Sequence, residues 1–310
     1  MTTPIIIADH LSLTYPSPMG RRVGIGTGPD GLSFEVQEGE IFGVIGPDGA
    51  GKTTLFRVLC SLLKPQKGTA KVAGYDIISE YRLLRNHIGY MPGTFSLYGD
   101  LTVEENLRFF ASIFHTTIEQ NYHLVRDIYS QIEPFKDRAA KSLSGGMKQK
   151  LALSCALIHS PKILFLDEPT TGIDPVSRVE LWHMLYKLAK QGVTIVVSTA
   201  YMDEAGQCHR IAFMQDGDFA TLDTPQALEQ GYPYALYAVS GQDRLALLGQ
   251  LRRHPAVLAV YTFGETFHVS IPKGEDPSFL AQHGATVTPI HPTIEDAFLA
   301  LSHATKRADE

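Results

Sequence analysis

The chain has 310 residues, 44% of them hydrophobic, and a formal net charge of −6. That length and apolar content suffice for one large and one small domain, each with a packed core. The charge, with no basic run longer than a pair, leaves no electrostatic footprint for nucleic acid or an anionic membrane surface. The three cysteines, Cys60, Cys155 and Cys208, show no C-x-x-C spacing, which argues for core thiols in a reducing compartment rather than a disulfide framework or zinc site. None of the twelve histidines falls at ligand spacing with cysteines or acids. The start, MTTPIIIADH, lacks a basic segment leading into an apolar run of signal-peptide length, and no apolar stretch reaches the roughly 18 residues of a membrane span. The chain is expected not to cross a membrane by itself.

Tyr15 closes the run LSLTYPS, and the glycine-rich SPMGRRVGIGTGPDG that follows reads as an exposed loop. EIFGVIG then reads as a strand, continuous in apolar residues as a strand covered on both faces must be. Directly after it, GPDGAGKTT, Gly46 to Thr54, satisfies G-x-x-x-x-G-K-[ST] and opens the helix TTLFRVLCSLL. Gly46, Gly49 and Gly51 let the backbone wrap phosphate oxygens closely, with Pro47, Asp48, Ala50 and Thr54 completing the cradle. Lys52 supplies a point charge toward the β- and γ-phosphates, and Thr53 is placed to bind magnesium.

From about Leu101 to Ser160 the chain reads as mostly helical. LTVEENLRFFASIF starts with a capping box, Thr102 and Glu105, and GGMKQKLALSCALIH carries Met147, Leu151, Cys155 and Ile158 at helical spacing. A second buried strand, KILFLDEP, delivers Asp167 and Glu168: Asp167 to hold the magnesium through water, Glu168 to polarise the attacking water as general base. A solvated turn before Pro169 is the other reading of that acidic pair. The third strand, in GVTIVVSTAYMDEA, sets Ser198, Thr199 and Ala200 at its carboxyl end. Strands alternating with helices favour an α/β fold with a largely parallel sheet. After DGDFATLDTPQALEQGYP the pattern changes to a βαββ-like series, YALYAVS, DRLALLGQLRRH, VLAVYTFG and TFHVSIP. This divides the chain into a first domain at 1–231 and a small α+β domain at 232–310. There is no internal repeat and no low-complexity segment.

The P-loop, the segment LSGGM (Leu143 to Met147) and the LDEP strand, in this order, resemble the nucleotide-binding subunits of ABC transporters over roughly residues 5 to 230. The resemblance implies a P-loop NTPase fold with a helical subdomain at about 93–160. It also implies head-to-tail pairing of two such domains, each ATP lying between one P-loop and the partner's LSGG segment. Ser144, Gly145 and Gly146 at a helix start suit that role through their N–H groups and the helix dipole, although SGG before a helix also serves as a plain cap. Met147 stands where the family often has Gln. Tyr15 matches the family's adenine-stacking aromatic, or is a core tyrosine. Asp174 in TTGIDPVSR matches the loop that communicates across the dimer, or caps the helix that Pro175 opens.

GYMPGTFSLYGDLTVEENL matches the family's loop that senses nucleotide and touches the membrane subunit. Gly93 occupies the family's glutamine position there, and Ala200 occupies that of the histidine that contacts the γ-phosphate. Losing a preorganised donor typically costs about 10²–10³ in rate. The expectation is an ATP and Mg²⁺ site that binds but hydrolyses slowly, Glu168 sustaining residual chemistry; substitution by nearby groups, or tolerated drift, is the bland alternative. Such a site favours a heterodimer over a homodimer of ATPases, with this chain as the regulatory half, similar to the amino-terminal half of bacterial tandem-domain multidrug-exporter ATPases.

The tail HPTIEDAFLAL, His291 to Leu301, resembles the end of ATPases that serve ABC-2-type membrane subunits, or is an amphipathic helix packed on the small domain. The resemblance therefore implies an exporter ATPase held peripherally at the cytoplasmic face of the inner membrane by ABC-2-type permease subunits. These would grip the chain around Phe95 to Leu101, where Phe95, Leu97 and Tyr98 form an exposed patch or belong to the core. Nucleic acid is not an expected partner. The reading from a different class is a soluble ABC ATPase acting on ribosomes or nucleic acid, or an ATP-gated scaffold; those relatives usually carry two ATPase halves or long coiled-coil inserts.

Overall fold

The computed structural model describes residues 3–16 and 22–308. The chain begins with an antiparallel sheet in which β1 (Pro4–Pro16) pairs with β2 (Arg22–Ile25) and β3 (Leu32–Gln37). Leu32, Phe34 and Val36 of β3 are buried and alternate with outward residues, the period of a sheet with one face on the core. β4 (Ile41–Ile45) leads through the P-loop into α1 (Lys52–Leu59), after which β5 (Lys67–Val72) and β6 (Tyr75–Asp76) extend the antiparallel sheet. A short α2 (Tyr81–Arg85) precedes β7 (Ile88–Met91). The helical block follows as α3 (Val103–Ile113), α4 (Ile118–Tyr129) and α5 (Gly145–Leu157). Then come β8 (Ile163–Asp167), α6 (Pro175–Lys190), β9 (Thr194–Thr199), β10 (Arg210–Gln215) and β11 (Asp218–Asp223).

The second sheet has the order β11-β10-β4-β9-β8-β7, parallel from β10 to β7. Every residue of β4, β8 and β9 is buried, which accounts for their uninterrupted apolar sequences. Phe56 of α1 meets Phe165 of β8 edge-on, ring centres 5.7 Å apart, and both are fully buried. Burying each such ring contributes roughly 1.5–3 kcal/mol. Register brings Ile45 beside Thr199 and Asp167 beside Ser198, so the ends of β4, β8 and β9 form one carboxyl rim. Ligands of open α/β sheets bind at such a rim.

The Thr102 capping box is present with both bonds: Glu105 N donates to Thr102 Oγ1 (3.2 Å) and Thr102 N to Glu105 Oε2 (2.8 Å). All three cysteines are buried, and burial pushes their thiols up, away from the reactive thiolate. The glycine-rich segment differs from the sequence expectation. Ser17–Arg21 lie outside the described residues, but Arg22–Ile25 form β2, and Gly24 and Ile25 are buried. β1 runs on to Pro16 and takes an antiparallel partner there. Gly24 lies at φ +143, where a Cβ would come within 2.0 Å of Leu13 O, so glycine here serves a close strand pairing.

The chain separates into two compact units, Met1–Leu222 and Asp223–Glu310. The second contains α7 (Pro225–Gln230), β12 (Ala235–Ser240), α8 (Arg244–Arg253), β13 (Ala259–Phe263), β14 (Thr266–Ile271), β15 (Thr286–Pro289) and α9 (Ile294–Ala308). The change of pattern read at residue 232 thus lies beyond α7. The strand order β13-β14-β12-β15, antiparallel at every step, is that of the split βαβ arrangement, with a 3₁₀ turn at Pro277–Gly284 in place of the second helix. Its core contains Val239, Leu247, Phe267, Val269 and Leu280. The tail motif is a fastened helix start. Asp296, 1% exposed, accepts from Thr293 N (2.9 Å) and Thr293 Oγ1 (2.8 Å), and its Oδ1 lies 2.8 Å from His268 Nδ1. Among the described residues no helix is long and apolar enough to cross a membrane.

Candidate nucleotide site

The P-loop hangs from the end of β4. Gly46 N donates to Thr199 O (3.2 Å), and a Cβ on Gly46 would lie 2.1 Å from Met214 O, so no side chain fits there. Gly49 (φ +81) and Gly51 (φ +111) take left-handed backbone that glycine adopts without strain. Gly51 is the N-cap of α1 and offers no capping side chain, which leaves the first N–H groups of the helix to an anion. The Lys52 side chain is buried; its ammonium donates to Gly46 O (2.8 Å) and Pro47 O (3.0 Å) and lies 3.3 Å from Glu168 Oε1. A cleft of about 200 Å³ is bounded by Tyr15, Val23 and Gly24 on one side and by Gly49, Gly51, Lys52, Thr53, Thr54 and Glu168 on the other. Tyr15 is 39% exposed, as a stacking platform requires and a core tyrosine does not. Pro47, Asp48 and Ala50 do not bound the cleft; they shape the loop, with Ala50 N bonded to Pro47 O (3.2 Å) and Ala50 O receiving Gly217 N (2.9 Å).

Asp167 is the last residue of β8 and 2% exposed; Ser198 Oγ donates to its Oδ1 at 2.6 Å. Glu168 sits at φ +50, its N–H shared between Ser198 Oγ (3.0 Å) and Ser198 O (3.1 Å). The Thr53 hydroxyl and Asp167 carboxylate are hard oxygen donors of the kind magnesium takes. Among the described residues no cluster of three or more histidines, cysteines and acids is placed to hold a metal ion.

Ser144 is the N-cap of α5, accepting from Met147 N at 3.4 Å, and both Ser144 and Gly145 are exposed. These residues lie outside the P-loop cleft and against the start of α6. A Cβ on Gly145 would stand 2.9 Å from Gly172 O, and one on Gly146 2.6 Å from Ser177 Oγ. Asp174 caps α6: it accepts from Val176 N (3.1 Å), Ser177 N (3.0 Å) and Ser177 Oγ (2.7 Å). Those bonds, led by the one from the Ser177 backbone, hold its carboxyl below the ordinary carboxylate value. Asp174 is also exposed, and Ser177, which bonds it, is the residue against Gly146.

Gly93 passes close to the acids. A Cβ there would stand 3.1 Å from Asp167 O and 3.7 Å from Glu168 Cβ. Ala200 follows β9, and the loop after it is tied down by a cluster that the sequence did not reveal. Glu204, 2% exposed, accepts from Thr170 Oγ1 (3.0 Å), and its Oε1 faces Arg178 Nε at 3.5 Å. Arg178 also reaches Asp203 (3.4 Å) and lies 4.3 Å over the Tyr201 ring. The expected surface patch needs one correction. Phe95 and Tyr98 are 44% and 52% exposed, but Leu97 is buried and lines a groove of about 250 Å³ with Tyr90, Phe110 and His159. Buried Asn106 exchanges hydrogen bonds with Tyr98 N and O, both 3.0 Å, and this folds the loop so that Leu97 turns inward.

Residues 29–171 match the family model described as ABC transporter. The probable multidrug ABC transporter ATP-binding protein YbhF of Escherichia coli (strain K12) is 39% identical over 279 residues, covering 87% of this chain. The alignment takes in 48% of that relative, so the chain spans about half its length. The Nod factor export ATP-binding protein I of Paraburkholderia xenovorans (strain LB400) is 34% identical over 287 residues, covering 88% of this chain and 91% of that protein. A solved ATP-binding subunit of an ABC transporter superposes with a TM-score of 0.65 at 25% identity, over 73% of this chain and 92% of that one. Fold and cleft together define a P-loop ATPase of the ABC type. The chain belongs to the ATP-binding subunits of ABC transporters.

Proposed function

We propose that this subunit energises an exporter and that its own site holds MgATP for long periods while hydrolysing it slowly. The observation that carries the reading is the contrast within one rim. Lys52, Thr53, Asp167 and Glu168 are assembled around the P-loop, while the two neighbouring segments bring only the hydrogen of Gly93 and the methyl of Ala200. In this reading Tyr15 stacks on adenine, the P-loop amides and Lys52 bind the phosphates, and Thr53 and Asp167 hold the magnesium. Glu168 polarises the attacking water. The missing donors reduce the rate by about 10²–10³ without removing binding. Exposed Ser144, Gly145 and Asp174, with half-buried Gly146, complete the site of a second ATPase subunit, and the imbalance favours a different chain as that partner. The names of the relatives, a multidrug transporter and a Nod factor exporter, support export. ABC-2-type permease subunits then hold the chain at the cytoplasmic face of the inner membrane, through Phe95, Tyr98 and the adjacent groove. The small domain, from about residue 232 on, is an accessory to this ATPase domain.

The test is ATP hydrolysis and nucleotide binding by the purified chain, beside Gly93→Gln with Ala200→His and beside Glu168→Gln. Binding with scant turnover, raised about 10²-fold by the restored pair, is the expected result. A parent that already turns over at about 1–10³ per second, the ordinary enzyme range, defeats the slow-site reading. Recovery with ribosomes instead of with an integral membrane protein defeats the exporter reading.

A further inference from the structure

We infer that Ser198 is a positioning residue for ATP hydrolysis, one hydroxyl that sets both acids of the site. The inference rests on Asp167 being the metal-side acid and Glu168 the base. Ser198 is completely buried in β9 and stands in register with Asp167 of β8. A serine hydroxyl has one hydrogen to give. Here it goes to Asp167 Oδ1, because a carboxylate offers only acceptors; the 2.6 Å length is that of a charge-assisted bond. The same oxygen therefore accepts from Glu168 N at 3.0 Å, with Ser198 O taking a share at 3.1 Å.

Each bond has a separate effect. The first holds the Asp167 carboxylate and occupies Oδ1, leaving the other oxygen without a protein partner among the described residues. The second pins the backbone of Glu168 at φ +50, a region that residues with a Cβ seldom occupy. Loss of the hydroxyl leaves that N–H to Ser198 O alone, which loosens the peptide and lets the carboxylate drift from Lys52, 3.3 Å distant. Neighbouring Thr199 serves other groups: its carbonyl receives Gly46 N and its hydroxyl receives Tyr201 N. With only a hydrogen at 93 and a methyl at 200, Ser198 is the side chain through which this strand end orients the acids.

The experiment uses the full chain with Ser198→Ala, Ser198→Thr, Ser154→Ala and Asp167→Asn. Three quantities are read: the single-turnover rate of ATP cleavage with protein in excess, the half-saturating Mn²⁺ concentration in the presence of ATP by electron paramagnetic resonance, and the urea midpoint. Ser154, also fully buried and bonded to Lys150 O at 2.8 Å, controls for loss of a buried hydroxyl in the same unit. Ser198→Ala is expected to slow cleavage about 10–100-fold and to raise the Mn²⁺ half-saturation about tenfold, the range for losing a bond to a charged group. Half-saturation by ATP stays within about threefold. Ser198→Thr, which keeps the hydroxyl, returns both quantities to within about threefold of the parent, and Ser154→Ala lowers only the urea midpoint. If the extra methyl keeps Ser198→Thr from folding, Ser198→Cys, a weaker donor, should fall between the parent and Ser198→Ala. A Ser198→Ala protein within about twofold of the parent in both cleavage and Mn²⁺ response overturns the proposal, as does an equal loss in Ser154→Ala. Asp167→Asn without effect on Mn²⁺ instead removes the underlying assignment of the acids, so the two failures are distinguishable.

Discussion

Arg178 and Glu204 give a measurable account of how the loop after Ala200 is held. Arg178→Met keeps the length of the side chain and removes its charge. Glu204, 2% exposed in its side chain, then keeps only Thr170 as a partner. Stripping one member from a fully buried ion pair costs about 3–5 kcal/mol. The Arg178 side chain is 26% exposed, and Nε stands 3.5 Å from Oε1, beyond hydrogen-bond contact for either atom, so the cost falls at or just below the bottom of that range. We expect Arg178→Met to cost about 2–3 kcal/mol, which for a unit of this size lowers the melting temperature by roughly 4–12 °C. Glu204→Gln retains an acceptor for Thr170 and should cost about 1 kcal/mol. In the double variant the stranded charge is gone, so the losses should fall short of their sum by about 1–2 kcal/mol. Urea unfolding of the four proteins at neutral pH closes the cycle. A loss under about 0.5 kcal/mol for Arg178→Met, or strict additivity, would refute the view of this cluster as the fastening of the loop.

Three further outcomes follow from the geometry. Burial holds the His159 imidazole below its ordinary value of 6.5, so the folded chain favours the neutral ring. The unfolded chain takes up its proton first as pH falls, so stability is full above 6.5 and declines from there down to the folded value. The slope is at most about 1.4 kcal/mol per pH unit for one proton. His159→Phe, which keeps the stack on Phe114 (3.7 Å), should flatten the pH dependence of the urea midpoint between about pH 7.5 and 5.5. Asn106→Leu strands Tyr98 N and leaves Tyr98 O with Leu101 N alone (3.2 Å), and should cost about 1–3 kcal/mol while freeing Leu97 to turn outward, seen as faster proteolysis of the 94–101 loop. Gly46→Ala forces a methyl to within 2.1 Å of Met214 O and should abolish ATP binding in equilibrium titration while the second unit, Asp223–Glu310, stays folded.

What the sequence disclosed was whatever local pattern alone determines. The P-loop, the Thr102 capping box and the three apolar strands each depend on residues within a few positions of one another. β2 was hidden because glycine is a poor strand former, and only its pairing with β1 gives Gly24 a purpose. Leu97 was misplaced because its orientation is decided by Asn106, one turn into a following helix. Ser198 and Glu204 carry no sequence signal of their work: the bond from Ser198 to Asp167 joins residues 31 apart, and the one from Thr170 to Glu204 joins residues 34 apart. Such pairs exist only once β8 and β9 lie side by side. The short β15, with Pro289 at its end, lacked the alternation that marks a strand.

Lys52 arrives at the cleft already engaged, by two carbonyls of its own loop and by Glu168. A phosphate reaching it therefore enters by substitution, displacing one anion with another, and the net gain in Coulomb attraction is smaller than a free ammonium would give. Affinity should accordingly depend little on ionic strength, unlike that of an open cationic patch. On the proposed assignment of Glu168, the displaced partner is the base itself. Glu168 would then be relieved of its counter-ion by the nucleotide whose cleavage it is proposed to assist, so that recognition and activation would be one event at a single ammonium group.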